Sequence, residues 1–382
     1  MTRFAQILLC AVLALGGAIS PALAAGRYIA YVGTYTGEKS KGIYALRLDP
    51  ASGKFESLGL QAEVDSPSFV ATDPHHRFLY ALTERTSRQD ATGYLSSYAI
   101  DPATGALRLI NKVAANGTTT GHLAVDGTGR WLLVANYGSG SVAVFALGAD
   151  GSVGAMTDFK QHEGSSVDAR RQKGPHPHEV VLSSDNRFAF VPDLGLDKVF
   201  VYRLDTAAGK LTAAEPAPVP PGFGPRHMIF GRGEKFAYVL GEMGSKVIVL
   251  AYDKASGALT PVQTIATIPA DFKGENNSAE LALDASGRFL YATNRGHDSV
   301  SVFAIHPRTG QLDLLQVEPS GGKIPRGMTI DPAGTHLLAG NQDSDGIAVF
   351  NRDKASGKLT ATGQVLDIPS PVCILFVPLD GN

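Results

Sequence analysis

One kind of strand recurs seven times along this chain, and that repetition limits the possible folds more than any other feature of the sequence. It is usually led by a basic residue and an aromatic. The first four copies are RYIAYVGT from Arg27, RFLYALTE from Arg77, RWLLVANY from Arg130 and RFAFVPDL from Arg187. KFAYVLGE from Lys235, RFLYATNR from Arg288 and THLLAGNQ from Thr335 complete the series. Each is followed by a second strand, such as SVAVFAL from Ser141 or SVSVFAI from Ser299. That strand runs into a Gly turn of the kind DPATGAL from Asp101 or DKASGKL from Asp353. Ahead of six of the seven lies another short apolar run: PSFVATD, HLAVD, HEVVLS, RHMIFG, AELALD and RGMTID. A further run, PVCILFV, stands alone near the C-terminus.

The repeating unit is therefore four strands at a spacing of about 51 residues. Short runs with two-residue alternation, broken by Gly-rich turns, read as strands, and no long segment carries a helical period. Seven four-stranded antiparallel sheets arranged radially make an all-β, seven-bladed β-propeller, a layout that leaves only short protected edges. The first sheet lacks its innermost strand, and PVCILFV supplies it. The ring is thus predicted to close by pairing of the C-terminal strand with the N-terminal blade. Residues 25–382 then form one domain, and most of the chain's 43 Gly and 22 Pro punctuate its turns.

Residues 1–24 read differently. Arg3 precedes an apolar run over 4–15, a Gly16-Gly17 pair, and Pro21-Ala22-Leu23-Ala24 before Ala25. This is the pattern of a cleaved secretory signal, and the apolar stretch falls short of the roughly 20 residues that a membrane helix needs. A periplasmic or secreted protein, free of the membrane after cleavage and monomeric, is expected. The cysteine that remains, Cys373, lies in an apolar run and is expected to be a buried, inert thiol. A hydrophobic content of 44% with 18% charged residues argues against disorder. Thirty-four basic against 36 acidic residues leave no electrostatic footprint for nucleic acid.

Consecutive strands are antiparallel, so the loops sort onto two faces. One face carries only short Gly turns. The other receives the long segments 85–93, 161–174, 213–224 and 271–278, and long loops are where function concentrates. The starts of the innermost strands bring His122, His176, His178, Glu179, Arg226, His227, Glu280 and Arg326 to that face. The ends of the next strands bring Glu84, Asn136, Asp193, Glu242, Asn294, Arg295, Asn341 and Gln342, with His297 just beyond. Guanidinium groups at an inner rim suit an anionic ligand. Taken singly, His122, Asp193 or Glu84 reads as a structural hydrogen-bonding group, and Glu179 or Glu280 as the counter-charge of a neighbouring Arg.

Rival chemistries have weaker support. His176, His178 and Glu179 resemble a metal set only loosely, because on a strand i+2 shares a side and i+3 does not. Paired-Cys and H-E-x-x-H zinc signatures are missing from the sequence. No G-x-S-x-G elbow, Walker loop or dinucleotide fingerprint follows any strand, so neither a serine nucleophile nor a cofactor is expected.

GPHPHE (from Gly174), GPRHM (from Gly224), LGEMGS (from Leu240), NNSAEL (from Asn276) and NRGHDSV (from Asn294) resemble the seven-bladed propeller lactonase family. That family contains the propeller-type 6-phosphogluconolactonases and the fungal 3-carboxy-cis,cis-muconate lactonizing enzymes. The similarity extends over essentially the whole mature chain. The resemblance implies metal-independent lactone chemistry on a small anionic, sugar-acid substrate. It places the catalytic histidine in GPHPHE, at His178 or alternatively His176, and the Arg and Glu positions at Arg226, Glu242 and Arg295.

Hydrolysis of a lactone needs an activated water, stabilisation of the carbonyl oxygen and an acid for the leaving alkoxide. On this reading His178 or Glu242 is the base and the other the acid. Arg226 and Arg295 hold the substrate's acid group or the oxyanion. His176, His227, Glu280, Arg326 and Asn341 are expected to bind substrate. A lactonizing cycloisomerase, or a periplasmic propeller that binds without chemistry, would use the same rim.

Overall fold

The computed structural model describes residues 27–49, 53–84 and 92–379. The signal sequence expected over 1–24 and most of the loop at 85–93 lie outside the described residues. Seven antiparallel sheets follow one another, each with its innermost strand first. The first sheet takes Pro371–Leu379 as that innermost strand, beside Arg27–Thr34, Gly42–Asp49 and Lys54–Glu63. Register runs from Arg27 opposite Leu379 to Thr34 opposite Pro371, which closes the ring as the sequence predicts.

The second strands are buried on both faces rather than alternating. Trp131–Asn136 and Phe188–Asp193 are buried at every position. A blade is covered by a neighbour on each side, so its central strands read as continuous apolar runs. The outermost strands, such as Lys54–Glu63, are largely exposed. The apolar side chains gather into seven clusters, each spanning two neighbouring blades. One of these joins Leu338, Ile347 and Val349 of the last blade to Ala30, Val32 and Leu46 of the first. The closing interface is as well packed as the others.

The basic-aromatic pair that leads the recurring strand has a physical role: it grips the Gly turn of the next blade. Trp131 Nε1 donates to Thr206 O at 2.9 Å and Arg130 Nη2 to the same oxygen at 2.6 Å. Arg288 Nη2 reaches Lys354 O at 2.6 Å in the same way. Gly209 follows Thr206 in its turn with φ +63°, and a Cβ there would overlap the Trp131 ring. Gly209→Val therefore combines backbone strain with overpacking. It is expected to lower unfolding stability by about 2 kcal/mol or more, measured by urea denaturation, with Lys210→Ala beside it as the near-neutral control.

One backbone feature prepares the functional face. In five blades the innermost strand carries an extra residue near its mouth end, seen as register shifts at Thr120/His122, Pro225/His227, Ser278/Leu281, Pro325/Gly327 and Gly33/Thr34. The residue that each shift leaves unpaired in the fifth and seventh blades is Arg226 and Arg326 respectively. Bulges re-aim side chains and recur beside active sites.

The fourth blade departs furthest from the expected pattern. Only Val181–Leu182 of HEVVLS is regular strand. Upstream, Pro175 and Pro177 interrupt the pairing, since proline cannot donate to a ladder. The segment is held instead by a single bridge from Pro177 to Asp193, by His178 N to Pro192 O at 2.9 Å and by His176 N to Asp193 Oδ1 at 2.7 Å.

Candidate active site

A cavity of about 340 Å3 opens on the face with the long loops, over the central channel. Its wall is built largely from one repeated position, the residue that follows the buried end of each second strand. Tyr35, Glu84, Tyr137, Glu242, Arg295 and Gln342 occupy that position in six blades, and all six line the cavity. Leu194 holds the position in the fourth blade and is fully buried. The innermost strands and the residues before them add Thr119, Gly121, His178, Asn277 and Arg326, and the 161–174 loop adds Arg171.

Glu242 is the electrostatic centre. Its Oε1 lies 2.7 Å from Arg171 Nη2, and its Oε2 lies 3.1 Å from Arg226 Nε and 2.9 Å from Arg295 Nη2. Burial alone would raise this carboxyl, but Arg295, Arg226 and Arg171 outweigh it and hold it far below the usual carboxylate range. Glu242 is thus a fixed anion at any physiological pH. The three guanidiniums favour an electrostatic role for it over the proton-donor role that the sequence also allows.

His178 Nε2 lies 3.9 Å from Glu242 Oε2, and its buried Nδ1 has no hydrogen-bond partner. Burial, together with the charges of Arg226, His227 and Arg326, keeps the imidazole neutral well below its ordinary pKa. The histidines around it are committed elsewhere. His176 Nδ1 contacts Tyr137 O at 2.9 Å and its ring stacks on Tyr137 at 4.4 Å, outside the cavity lining. His227 contacts Glu280 Oε1 through Nδ1 at 2.7 Å and Arg226 Nη1 through Nε2 at 3.1 Å. His122 Nδ1 accepts from Val180 N at 3.4 Å. Of the two histidines in GPHPHE, only His178 faces the cavity with its ring unspent.

Several expected binding residues sit behind the wall. Arg226 is buried and is not among the residues that line the cavity: its Nη1 meets His227 Nε2 and the carbonyl of Ala279, and its Nε lies beside Glu242. Burial beside Arg295 and Arg326 draws its pKa down to about 10, which still leaves it charged at neutral pH. His227 and Glu280 form a pair that braces Arg226. Asn341 is one residue short of the cavity: its Nδ2 donates to Ser320 O at 2.9 Å, and Gln342 takes the lining position. Asn136 and Asn294 make the matching ties, accepting from Thr120 and Ser278 hydroxyls at 2.9 Å each. These Asn side chains fasten strand ends, and Asn341 keeps a buried Oδ1 without a hydrogen-bond partner.

Arg295 both lines the cavity and is aimed by Nε to Asn277 O at 3.1 Å. Arg326 lies over the ring of Tyr35, 5.2 Å from its centroid. Deeper in the channel, burial and the charge of Glu280 raise the Glu179 carboxyl well above its usual range, and its Oε2 accepts from Met228 N. Among the described residues, no three His, Cys, Asp or Glu side chains converge as a metal-ion ligand set. Cys373 is buried and its thiol is pushed up to about 12 by burial. The sequence reading missed Tyr35, Tyr137 and Arg171. The two tyrosines occupy a position the repeat already defines, whereas Arg171 comes from a loop outside it.

The sequence model of the family described as "Lactonase, 7-bladed beta-propeller" matches residues 29–376. A 6-phosphogluconolactonase of Bacillus subtilis (strain 168) is 34% identical over 351 residues, spanning 92% of this chain and 99% of the relative. One from Formosa agariphila is 32% identical over 344 residues, spanning 88% and 96% respectively. Among solved structures, the periplasmic gluconolactonase of Pseudomonas aeruginosa superposes with a TM-score of 0.88 at 38% identity, covering 93% of this chain and all of that one.

Proposed function

The chain belongs to the seven-bladed β-propeller lactonase family, and from that premise we propose that it hydrolyses a small anionic sugar-acid lactone at the cavity around His178 and Glu242. The observation that carries this reading is an unspent neutral imidazole set beside a carboxylate locked among three guanidiniums. Relatives named as 6-phosphogluconolactonase and gluconolactonase support the substrate class.

In this mechanism His178 takes a proton from the attacking water and returns it to the ring alkoxide as the ester opens. Arg295 and Arg326 present positive charge to the carbonyl oxygen as it becomes negative. Glu242 is a positioning group: it fixes Arg295 and Arg226 and stabilises the imidazolium that forms at His178. Arg226, His227 and Glu280 brace it from behind. Gln342 takes the binding role first assigned to Asn341. Proton transfer uses side chains only, so no metal or cofactor enters the scheme.

The protein is proposed to act as a monomer after export, with residues 1–24 removed. The similarity to a periplasmic gluconolactonase supports that location. The test is acid release from a panel of aldonolactones in a pH-stat, paired with thermal shifts for the same compounds. The proposal expects turnover above the spontaneous rate for at least one anionic lactone. Stabilisation without turnover would identify a binding propeller instead.

A further inference from the structure

Arg171 differs from the other guanidiniums that meet Glu242. Its side chain is 38% exposed, against 12% for Arg295 and 4% for Arg226. It is the one of the three that contacts Oε1, while Arg226 and Arg295 share Oε2. Arg171 can therefore leave Glu242 without stripping that carboxylate of its other two partners. Its second contact, Tyr137 OH at 3.3 Å, is long and weak.

The backbone beneath it, in contrast, is tightly fastened. Asp168 Oδ1 accepts from the backbone N–H of Arg170 and of Arg171 at 2.8 Å each. Gln172 Nε2 donates to Leu194 O at 2.9 Å, and its Oε1 accepts from Asp168 N at 3.0 Å. Ser166 Oγ donates to Asp197 Oδ2 at 2.6 Å, tying the loop to the fourth blade. The loop thus holds a part-exposed charged head on a fixed stem, beside a cavity in which His178 and Glu242 are buried.

Resting on the lactonase reading, we propose that Arg171 is a specificity residue which exchanges Glu242 Oε1 for an anionic group carried outside the lactone ring, a phosphate or a carboxylate. In this arrangement the ring ester sits beside the buried His178, and the more exposed Arg171 is left for the exocyclic end of a six-carbon lactone. A guanidinium that already holds a carboxylate oxygen has the geometry to hold a phosphate or carboxylate oxygen of substrate. When Arg171 moves to the substrate, Arg226 and Arg295 still hold Glu242, so the floor of the site keeps its charge balance. The chain would then select lactones by a charge remote from the bond that breaks.

The test compares wild type with Arg171→Gln on a six-carbon aldonolactone, its 6-phosphate ester and its 6-carboxylate. The ratio of kcat/KM for an anionic lactone to that for the neutral one should fall about tenfold or more in the variant, chiefly through KM. The anion for which it falls identifies the group that Arg171 reads. An equal loss on all three lactones, or no change in the ratio, overturns the assignment. Inorganic phosphate supplies a readout independent of turnover: its affinity, measured by calorimetry, should weaken about tenfold in Arg171→Gln. Unchanged affinity overturns the assignment. Weakened affinity in a protein that opens no lactone keeps the anion site and overturns the lactonase reading instead.

Discussion

Replacing His178 by Ala is expected to lower kcat for lactone hydrolysis by about 10²–10⁴-fold, the range for loss of a well-placed proton carrier. The propeller should still fold. His178 makes no side-chain hydrogen bond to the protein through its buried Nδ1, so its removal leaves no donor or acceptor stranded. The ring packs against Tyr137 and His227, with centroids 5.3 Å away in each case, and the loss of those contacts costs little beside the loss of chemistry. Pairing the rate, measured by pH-stat, with thermal melting separates the two effects. Full turnover in His178→Ala would move the proton transfer to another group. His176→Ala is the companion measurement: with its ring stacked on Tyr137 outside the cavity, it should retain far more activity.

Glu242→Gln is expected to damage both stability and rate. Three guanidiniums converge on that carboxylate within 3.1 Å, and its loss leaves Arg226 and Arg295 buried without their counter-charge. Breaking a buried ion pair from one side costs about 3–5 kcal/mol. Activity should fall at least as far as the loss of an oxyanion-stabilising donor, about 10²–10³-fold, because Arg295 is no longer held in place. The pH dependence follows from the sign of the shift. The folded carboxyl titrates below its unfolded value of about 4.3. Its stabilisation is therefore complete above that pH and erodes only as pH falls below it. The gap in melting temperature between wild type and Glu242→Gln should be constant from pH 8 to about 5 and narrow in stronger acid. A gap that opened or closed near neutrality would contradict the assignment of Glu242 as a permanent anion.

The fold was legible because every blade repeats the same physical solution. A basic residue, an aromatic and a Gly turn recur because neighbouring blades meet there, as where Arg130, Arg187 and Arg288 each reach a carbonyl in the next blade's turn. The lone C-terminal run announced the ring closure because one sheet was a strand short. The face was legible from loop length. The individual site residues were less so, and the reason is register. On a strand a shift of one residue moves a side chain to the other side, and the sequence alone does not separate Asn341, which ties strand ends, from Gln342, which lines the cavity.

The bulges add a second uncertainty of the same kind. An extra residue at the mouth of the innermost strand changes where Arg226 and Arg326 point, and nothing in RHMIFG or RGMTID marks it. Glu242 stood out by residue type and position, but of the three arginines around it Arg171 comes from a loop that has no counterpart in the repeat. A proton-donor role for Glu242 was a reasonable expectation from residue type. The three guanidiniums around it support the electrostatic role proposed instead.

The most direct measurement of the account is the pH dependence of acid release from an anionic aldonolactone by wild type and His178→Ala, each corrected for spontaneous opening. Wild-type kcat/KM should be level through neutrality and fall only below the ordinary imidazole range, near pH 6.5, as His178 becomes protonated. This enzymatic rate should be lost in the variant. No wild-type rate above the blank, or the same profile in His178→Ala, would contradict the account.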